Sequence, residues 1–508
     1  MAAIAVAAAC SSKKTDDTDK TKRPKKIRTQ VVTQAKVKPV DVPCNEAGKI
    51  VAAAWNDAAK QKLKAAFVAA EAAHAMDTFE RVSKRLDDNA KQLSALDQET
   101  CKLVRAICVK RRATAMGTLV SALAGAKKRG VERALRAVYR LAPPADCADA
   151  EYMAAMPQPR KKDQKKIEQL YAHLDGQRIK LHLGRSKGAL FELKAVVMAA
   201  GRVGYQPGLA EAKELQARAF RARNKLNHAQ QSLRIAAKTA AAAQDHWRVA
   251  SAWIELVSVL VDSRRLPDAF KVVKGAEIAI QRSKNTAALK RRLNEALAMA
   301  NFQSGKYKEA IAATEAAIAL TKPDDDIAAA GILFLRAAAT QALKKPADAE
   351  KVYLELEKKV TRGFGPKHPM VGRVLIALGQ SQVAQEKFDD GIKTIKGAVK
   401  SFEITYGAAH LHVASAKGAL ANAFVSAKKY KDALATFAQV LAIRTKTGGP
   451  EHRTVGRTHL DIARAHEASG DKTKATQSAK KAREVFEKAK SKGGVAAADK
   501  LLKKLTAP

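Results

Sequence analysis

Aromatic residues make up only 5% of this 508-residue chain, although 47% of it is apolar. Much of the apolar share is alanine, the strongest helix former and the smallest helical side chain. Proline is scarce, at 15 residues, and long alternations of β-branched residues are missing, which argues against a sheet-built core. Cysteine occurs at five positions, all before residue 150, and no CxxC pair is among them. That spacing excludes the usual zinc-ligand pattern. No segment after the N-terminus offers the ~20 apolar residues of a spanning helix. There is no nucleophile elbow, zincin motif or phosphate loop, and no pair of carboxylates is placed by a motif. The chain reads as all-α, with no enzymatic activity, cofactor or metal expected.

Acidic residues are also under-represented. Lys and Arg number 93 against 50 Asp and Glu, a net charge of +43. Such an excess is either a solvated basic surface or a match to a partner of opposite sign: phosphate, anionic lipid, acidic polysaccharide or acidic protein. The charge runs along the whole length, without a base-reading motif or an aromatic stacking platform. Nucleic acid is therefore not the expected partner, and a basic polyanion binder is kept as an alternative.

What the chain does have is a small residue at a nearly fixed interval. Ala189, Ala229, Ala269, Ala310, Ala349, Gly391, Ala433 and Ala475 are separated by 40, 40, 41, 39, 42, 42 and 42 residues. That period predicts stacked helix pairs. Twelve residues before the landmarks come Val257, Ala298, Ala337, Gly379, Ala421 and Ala463, mostly small. Four residues after the landmark the residue is often bulky, as at Val273, Tyr353, Ile395 and Phe437. Small residues where two helices cross and large ones toward the next pair form a helix–turn–helix lock.

This pattern resembles the tetratricopeptide repeat, and its turns agree: GKYKEA (305–310), KKPADA (344–349), EKFDDG (386–391) and KKYKDA (428–433). Gly365-Pro366-Lys367-His368, Gly407-Ala408-Ala409-His410 and Gly449-Pro450-Glu451-His452 recur at 42 residues. They resemble the longer-helix, kinesin-light-chain variety. The three histidines sit at repeat junctions, where a turn-stabilising role is expected rather than metal binding. The expected fold is a right-handed α-solenoid of about eight such pairs over 160–490, with a basic helix or tail over 491–508. The match is weakest in the first helices of 160–245.

Ahead of the repeats, 44–157 predicts a small helical domain. A first helix is expected through EAGKIVAAAWNDAAKQKLKAAFVAA, with Trp55 in the core. A second is expected through TFERVSKRLDDNAKQLSALDQETCKLVRAICVKRR, and a third through VERALRAVYRLA, stopped by Pro143-Pro144. Cys101 and Cys108 are seven residues apart on one helical face. The helical rise puts them about 10 Å from each other, too far to bond. Cys44 and Cys147 are the available partners, so Cys44–Cys101 and Cys108–Cys147 are expected, with the alternative pairing open.

Residues 2–9, AAIAVAAA, run into Cys10-Ser11-Ser12 and resemble the lipobox of a bacterial lipoprotein. The resemblance implies lipidation at Cys10 and a cell-envelope location facing the periplasm, with the cytoplasm as the alternative. Segment 1–10 is then a short signal-like stretch and 11–43 a basic linker, polar enough to stay disordered. Residues 44–490 together look like the region after the kinase and membrane helix of myxobacterial-type serine/threonine kinases with tetratricopeptide tails. The carrying segments are PCNEAGKIVAAAWNDAAKQKLKAAFVA, CVKRRATAMGTLVSAL and CADAEYM, followed by the repeats. No kinase motif is present, and the stretch between Cys101 and Cys108 is shorter than in that family. The resemblance implies a stand-alone scaffold or detached sensor module without catalysis.

Repeats of this kind present their first helices on a concave face. Counting back from the landmarks puts Arg292, Arg373, Arg457, Gln380, Asn422 and Arg464 there. These could bind a protein or peptide, acidic or extended, through charge-assisted and backbone hydrogen bonds. The expected function is a non-catalytic protein-interaction scaffold.

Overall fold

The computed structural model of the protein describes residues 46–99, 103–149, 153, 157, 160–283 and 286–506. Cys10, Cys44, Cys101 and the segments 1–10 and 11–43 lie outside the described residues. All described regular structure is helical.

Eight helix pairs follow one another: α6 (Gln164–His182) with α7 (Ser186–Val203), α8 (Gln206–Ala222) with α9 (Leu226–Ala242), α10 (His246–Asp262) with α11 (Leu266–Arg282), and α12 (Ala287–Gln303) with α13 (Tyr307–Ala319). Then come α14 (Asp326–Ala342) with α15 (Pro346–Phe364), α16 (Pro369–Val383) with α17 (Phe388–Tyr406), α18 (Leu411–Ser426) with α19 (Tyr430–Gly448), and α20 (Arg453–Ala468) with α21 (Lys472–Lys488). A last helix, α22 (Lys492–Thr506), covers the end of the stack through Ala498, Leu501 and Leu505. The pairing begins at Gln164, so the poorly matching first helices of 160–245 fold like the rest.

Every small landmark is buried, one per second helix. The reason is contact distance. At Gly391, an added Cβ would lie 2.8 Å from the Gly379 carbonyl oxygen, so the two backbones touch where α16 and α17 cross. Tyr353, Ile395 and Phe437 are buried on the same helices, four residues on.

The turn inside each pair has a fixed chemistry. The first helix ends on a left-handed residue, such as Asn224, Arg264 or Lys428, with φ of 56°, 59° and 58°. The next N–H reaches back five residues: Lys225 to Phe220, Arg265 to Leu260 and Lys429 to Phe424. This closure caps orphan carbonyls at the helix end. Between pairs, the three junction histidines act as helix N-caps. The Nδ1 atoms of His368, His410 and His452 accept from the backbone N–H of Met370, His412 and Thr454 at 3.2, 3.1 and 3.3 Å.

The preceding region holds α1 (Glu46–Ala54), α2 (Asp57–Ala69), α3 (Ala75–Glu99), α4 (Leu103–Leu123) and α5 (Lys128–Tyr139). The single helix expected over 46–70 is two. Asn56 breaks it: its backbone is extended, and its side chain caps α2 by accepting from the Ala59 N–H at 2.9 Å. The expected second helix covers α3 and the first half of α4, with residues 100–102 outside the described residues. Trp55 is buried, its indole N–H donating to Asp87 at 2.8 Å. Cys108 and Cys147 form a disulfide that ties α4 to the short turn over Pro144–Cys147.

These helices do not stand apart from the repeats. Leu63, Phe67, Val82, Leu86 and Leu119 share one hydrophobic core with Leu333 of α14, Leu356 and Phe364 of α15, and Val374 of α16. Residues 41–508 form one compact unit. Polar contacts edge the seam: Arg136 lies over the Phe364 ring at 5.4 Å, and His74 meets His368 edge-on at 5.3 Å between ring centres. Tyr406 donates its hydroxyl to Glu132.

Candidate functional site

Farther toward the start of the stack, α6 still joins the shared core through Ile179, but the N-terminal helices leave space against the first helices around it. A cavity of about 910 Å³ opens there, between α4 with the 139–146 segment on one side and the first helices α6, α8, α10 and α12 on the other. Its size falls in the range that holds small ligands or short peptide segments. Nine arginines and seven carboxylates line it, without a lysine.

The first cluster is a closed web. Glu211 of α8 is buried and accepts from Arg111 at 2.5 Å and also from Arg178 and Arg248. Arg111, from α4, also forks onto Asp175 of α6 with two contacts of 2.9 Å. Its guanidinium stacks 3.7 Å from the centre of the Tyr171 ring. Burial alone would raise the Glu211 pKa. The three guanidiniums outweigh it and hold the carboxyl well below its ordinary range. This web fixes α4 onto α6, α8 and α10 and leaves few free donors.

The second cluster is less complete. Glu214 accepts from Arg218 at 2.6 Å and from the Ser251 hydroxyl at 2.7 Å. Glu255 accepts from Arg221 at 3.1 Å, and Arg221 also holds Asp262 at 2.6 Å. Two carboxylates thus share one guanidinium while others go short. Arg292 reaches only the Ser251 oxygen at 3.0 Å, with Glu255 at 3.9 Å. Arg140, just past α5, has no side-chain ion pair or hydrogen bond to a described residue. The Nε atoms of Arg112 and Arg218 are buried without a hydrogen-bond partner.

Electrostatics mark the same shortfall. Burial, with Arg218 as the leading like charge, lowers the pKa of both Arg140 and Arg292. His182 is pushed down to about 3 by burial and then by Arg140, Arg178 and Arg218, so it stays neutral at ordinary pH. Guanidiniums short of acceptors beside a neutral imidazole leave unused hydrogen-bond donors at the cavity. Trp247, Ile254, Leu141 and Met299 add apolar wall.

Of the sequence-derived groove residues, only Arg292 lines this cavity. Arg373 and Gln380 are exposed on α16, and Asn422 is exposed on α18. Arg457 and Arg464 both pair with Asp461, at 3.2 and 3.4 Å. The sequence reading missed Arg111, Arg140, Arg178, Arg218 and Arg248. Arg178 and Arg218 sit on first helices 40 residues apart, at the same offset from Ala189 and Ala229, a signal the landmark counting could have carried back to the early repeats; Arg248 falls outside that register. Arg140 could not have been found that way, because it lies outside the repeats. Among the described residues, no group of three His, Cys, Asp or Glu side chains could hold a metal ion, and no helix is long and apolar enough to cross a membrane.

Helix pairs locked by small residues, with a charged cavity against their first helices, define an α-solenoid with a partly enclosed inner face. Residues 412–488 match the tetratricopeptide repeat family. Among solved structures, the apo form of RapI is 14% identical with a TM-score of 0.49, covering 77% of this chain and 99% of its own. A signal transduction ATPase with a tetratricopeptide repeat sensor from Pyrococcus horikoshii is 11% identical with a TM-score of 0.48, covering 83% and 67%. BtubC (BKLC) from P. vanneervenii is 19% identical with a TM-score of 0.36, covering 46% and 91%. No curated protein matches the sequence.

Proposed function

We propose that this protein is a non-catalytic interaction scaffold that holds an acidic protein segment in the arginine-lined cavity. The observation that carries the reading is the pairing deficit at Arg140 and Arg292, two guanidiniums facing a cavity without a close carboxylate. Arg292 is half-buried, and a charge taken partly out of water without a close partner is costly. Arg140 is exposed with its donors unused, and an anionic ligand would engage both. Arg373, Gln380, Asn422, Arg457 and Arg464 would extend contact along the later first helices.

Anchoring through a lipidated Cys10 in the cell envelope belongs to the same reading. Its support is the Ala-rich run before Cys10-Ser11 and the Cys108–Cys147 disulfide, a bond at home in oxidising compartments. Fractionation with mass spectrometry of the N-terminus tests it: a lipid on Cys10 is expected, and an unmodified, cytosolic Cys10 rejects the anchor.

Binding is tested by titrating the full chain with a glutamate-rich peptide and a neutral peptide of equal length, following heat and the fluorescence of Trp247 in the cavity wall. The acidic peptide should bind at micromolar levels and weaken with salt, as surface-accessible charge contacts do. Equal affinity for the neutral peptide would overturn the reading.

A further inference from the structure

We infer that Arg140, Arg218 and Arg292 form a subsite for a doubly charged phosphoryl group on the bound ligand. This rests on the cavity being the binding site proposed above, and it narrows the chemistry of what enters.

Three separate elements deliver the three guanidiniums. Arg140 comes from the end of α5, Arg218 from α8 and Arg292 from α12. Arg140 and Arg292 feel the same neighbours, Arg218, Glu255 and Glu295, so they occupy one locality although far apart in sequence. The carboxylates there are already engaged: Glu255 by Arg221 at 3.1 Å, Glu295 by Arg291 and Glu214 by Arg218 at 2.6 Å. That leaves free N–H groups. A guanidinium carries five donors. Arg140 uses none on the protein, Arg292 uses one on the Ser251 hydroxyl, and the Arg218 Nε has no acceptor.

Donor number and direction decide between anions. A carboxylate is planar, carries one charge and is satisfied by one guanidinium fork. A phosphoryl group carries close to two charges and three acceptor oxygens, which suits donors arriving from several elements. The residue type agrees. Lysine is common on this chain, yet arginine lines the cavity and lysine does not, and arginine's fixed fork suits phosphate and tolerates burial better. His182 stays neutral and so adds a hydrogen bond without adding charge.

Arg140 also links the subsite to the architecture. It is the contribution of the N-terminal helices, so a phosphoryl group held there would bridge them to α8 and α12. The occupied cavity should hold both halves together more tightly than the empty one.

The test is calorimetry on the full chain with four probes: a phosphoserine peptide, the same peptide with serine, the same with glutamate, and inorganic phosphate. The phosphoserine peptide should bind at least about tenfold more tightly than the glutamate form. Arg140→Met, which removes a side chain without protein partners, should abolish that advantage while leaving the melting temperature unchanged. Arg292→Met, which also gives up the hydrogen bond to Ser251, should abolish the same advantage. Inorganic phosphate that competes with the phosphopeptide, or binds alone with Arg140 dependence, supports the subsite and identifies the phosphoryl group itself as the ligand chemistry. Equal affinity for the glutamate and phosphoserine peptides overturns the subsite and leaves the acidic-segment reading standing. Phosphate binding with no peptide binding does the reverse. Tight phosphopeptide binding that Arg140→Met and Arg292→Met leave unchanged overturns the subsite as placed here.

Discussion

The N-terminal helices face two stretches of the same solenoid and meet them by opposite means. Against α14, α15 and α16 they bury Leu333, Leu356, Phe364 and Val374 in one shared apolar core. Against α6, α8, α10 and α12 they leave a cavity where nine arginines and seven carboxylates are set among apolar side chains. The helix-pair frame is the same in both, with a small residue buried at each crossing. The positions that lock a repeat are thus separate from the positions that face inward. The inner face is free to become either a docking surface or a receptor.

The largest expected effect lies in the charged half. Glu211→Ala leaves Arg111, Arg178 and Arg248 around an empty centre, with only Asp175 and Asp245 to share. Breaking a buried ion cluster by removing one partner costs about 3–5 kcal/mol. Urea unfolding should show a loss of that order. A loss under about 1 kcal/mol, as for a solvated surface pair, would erase the distinction between web and surface.

The apolar half is probed by Phe364→Ala. The ring is fully buried beneath Arg136 and the His368 imidazole. Truncation should cost about 3–4 kcal/mol from lost burial and the cavity left behind. Limited proteolysis should then cut within 46–149 first, because the seam there depends on this core. Unchanged protection of that region would mean that the charged half alone holds the N-terminal helices in place.

Acid should separate the halves more gently. His368 is pushed down to about 3, by burial first and then by His74 and nearby arginines. Its Nδ1 must stay unprotonated to cap α16. Since the folded pKa lies below the unfolded value of 6.5, the unfolded chain takes up a proton first as pH falls. The contribution is therefore complete above about pH 7 and is lost between roughly 6.5 and 3, at on the order of 1 kcal/mol per pH unit. His368→Asn keeps a capping oxygen without a titrating group and should flatten the stability–pH curve over that window. A slope equal to the parent's would assign the acid sensitivity elsewhere, with His182, at about 3 in the cavity wall, the next to replace.

The frame was legible because packing geometry repeats. Ala229 and Ala433 sit at the same crossing, and sequence spacing alone places them. The three histidines were readable for a similar reason: Gly365, Gly407 and Gly449 adopt positive φ before a helix, and the residue three later caps it. The break at Asn56 was hidden because the apolar pattern runs across it and one capping hydrogen bond decides the matter. The cavity was hidden for a deeper reason. It depends on where the N-terminal helices dock, and no local pattern encodes that contact. Arg292 was found by counting within the repeats, whereas Arg140 belongs to a segment with no period to count. Even within the repeats, position did not reveal pairing: Arg292 goes without a close carboxylate while Arg457 has one.

That last contrast gives the smallest predicted effect. Arg457 occupies the same repeat position as Arg292, but it is exposed and paired with Asp461 at 3.2 Å, a carboxylate it shares with Arg464. Arg292 is enclosed and short of partners. Arg457→Met should change stability by less than about 1 kcal/mol, the usual size for an exposed ion pair. It should change affinity for a short acidic peptide hardly at all, because the proposed site for the anion is at the other end of the stack. If Arg457→Met instead weakens such a peptide as much as Arg292→Met does, the ligand lies along the whole row of first helices. The inner face would then act as one continuous groove, and the two stretches compared above would differ in packing but not in what they bind.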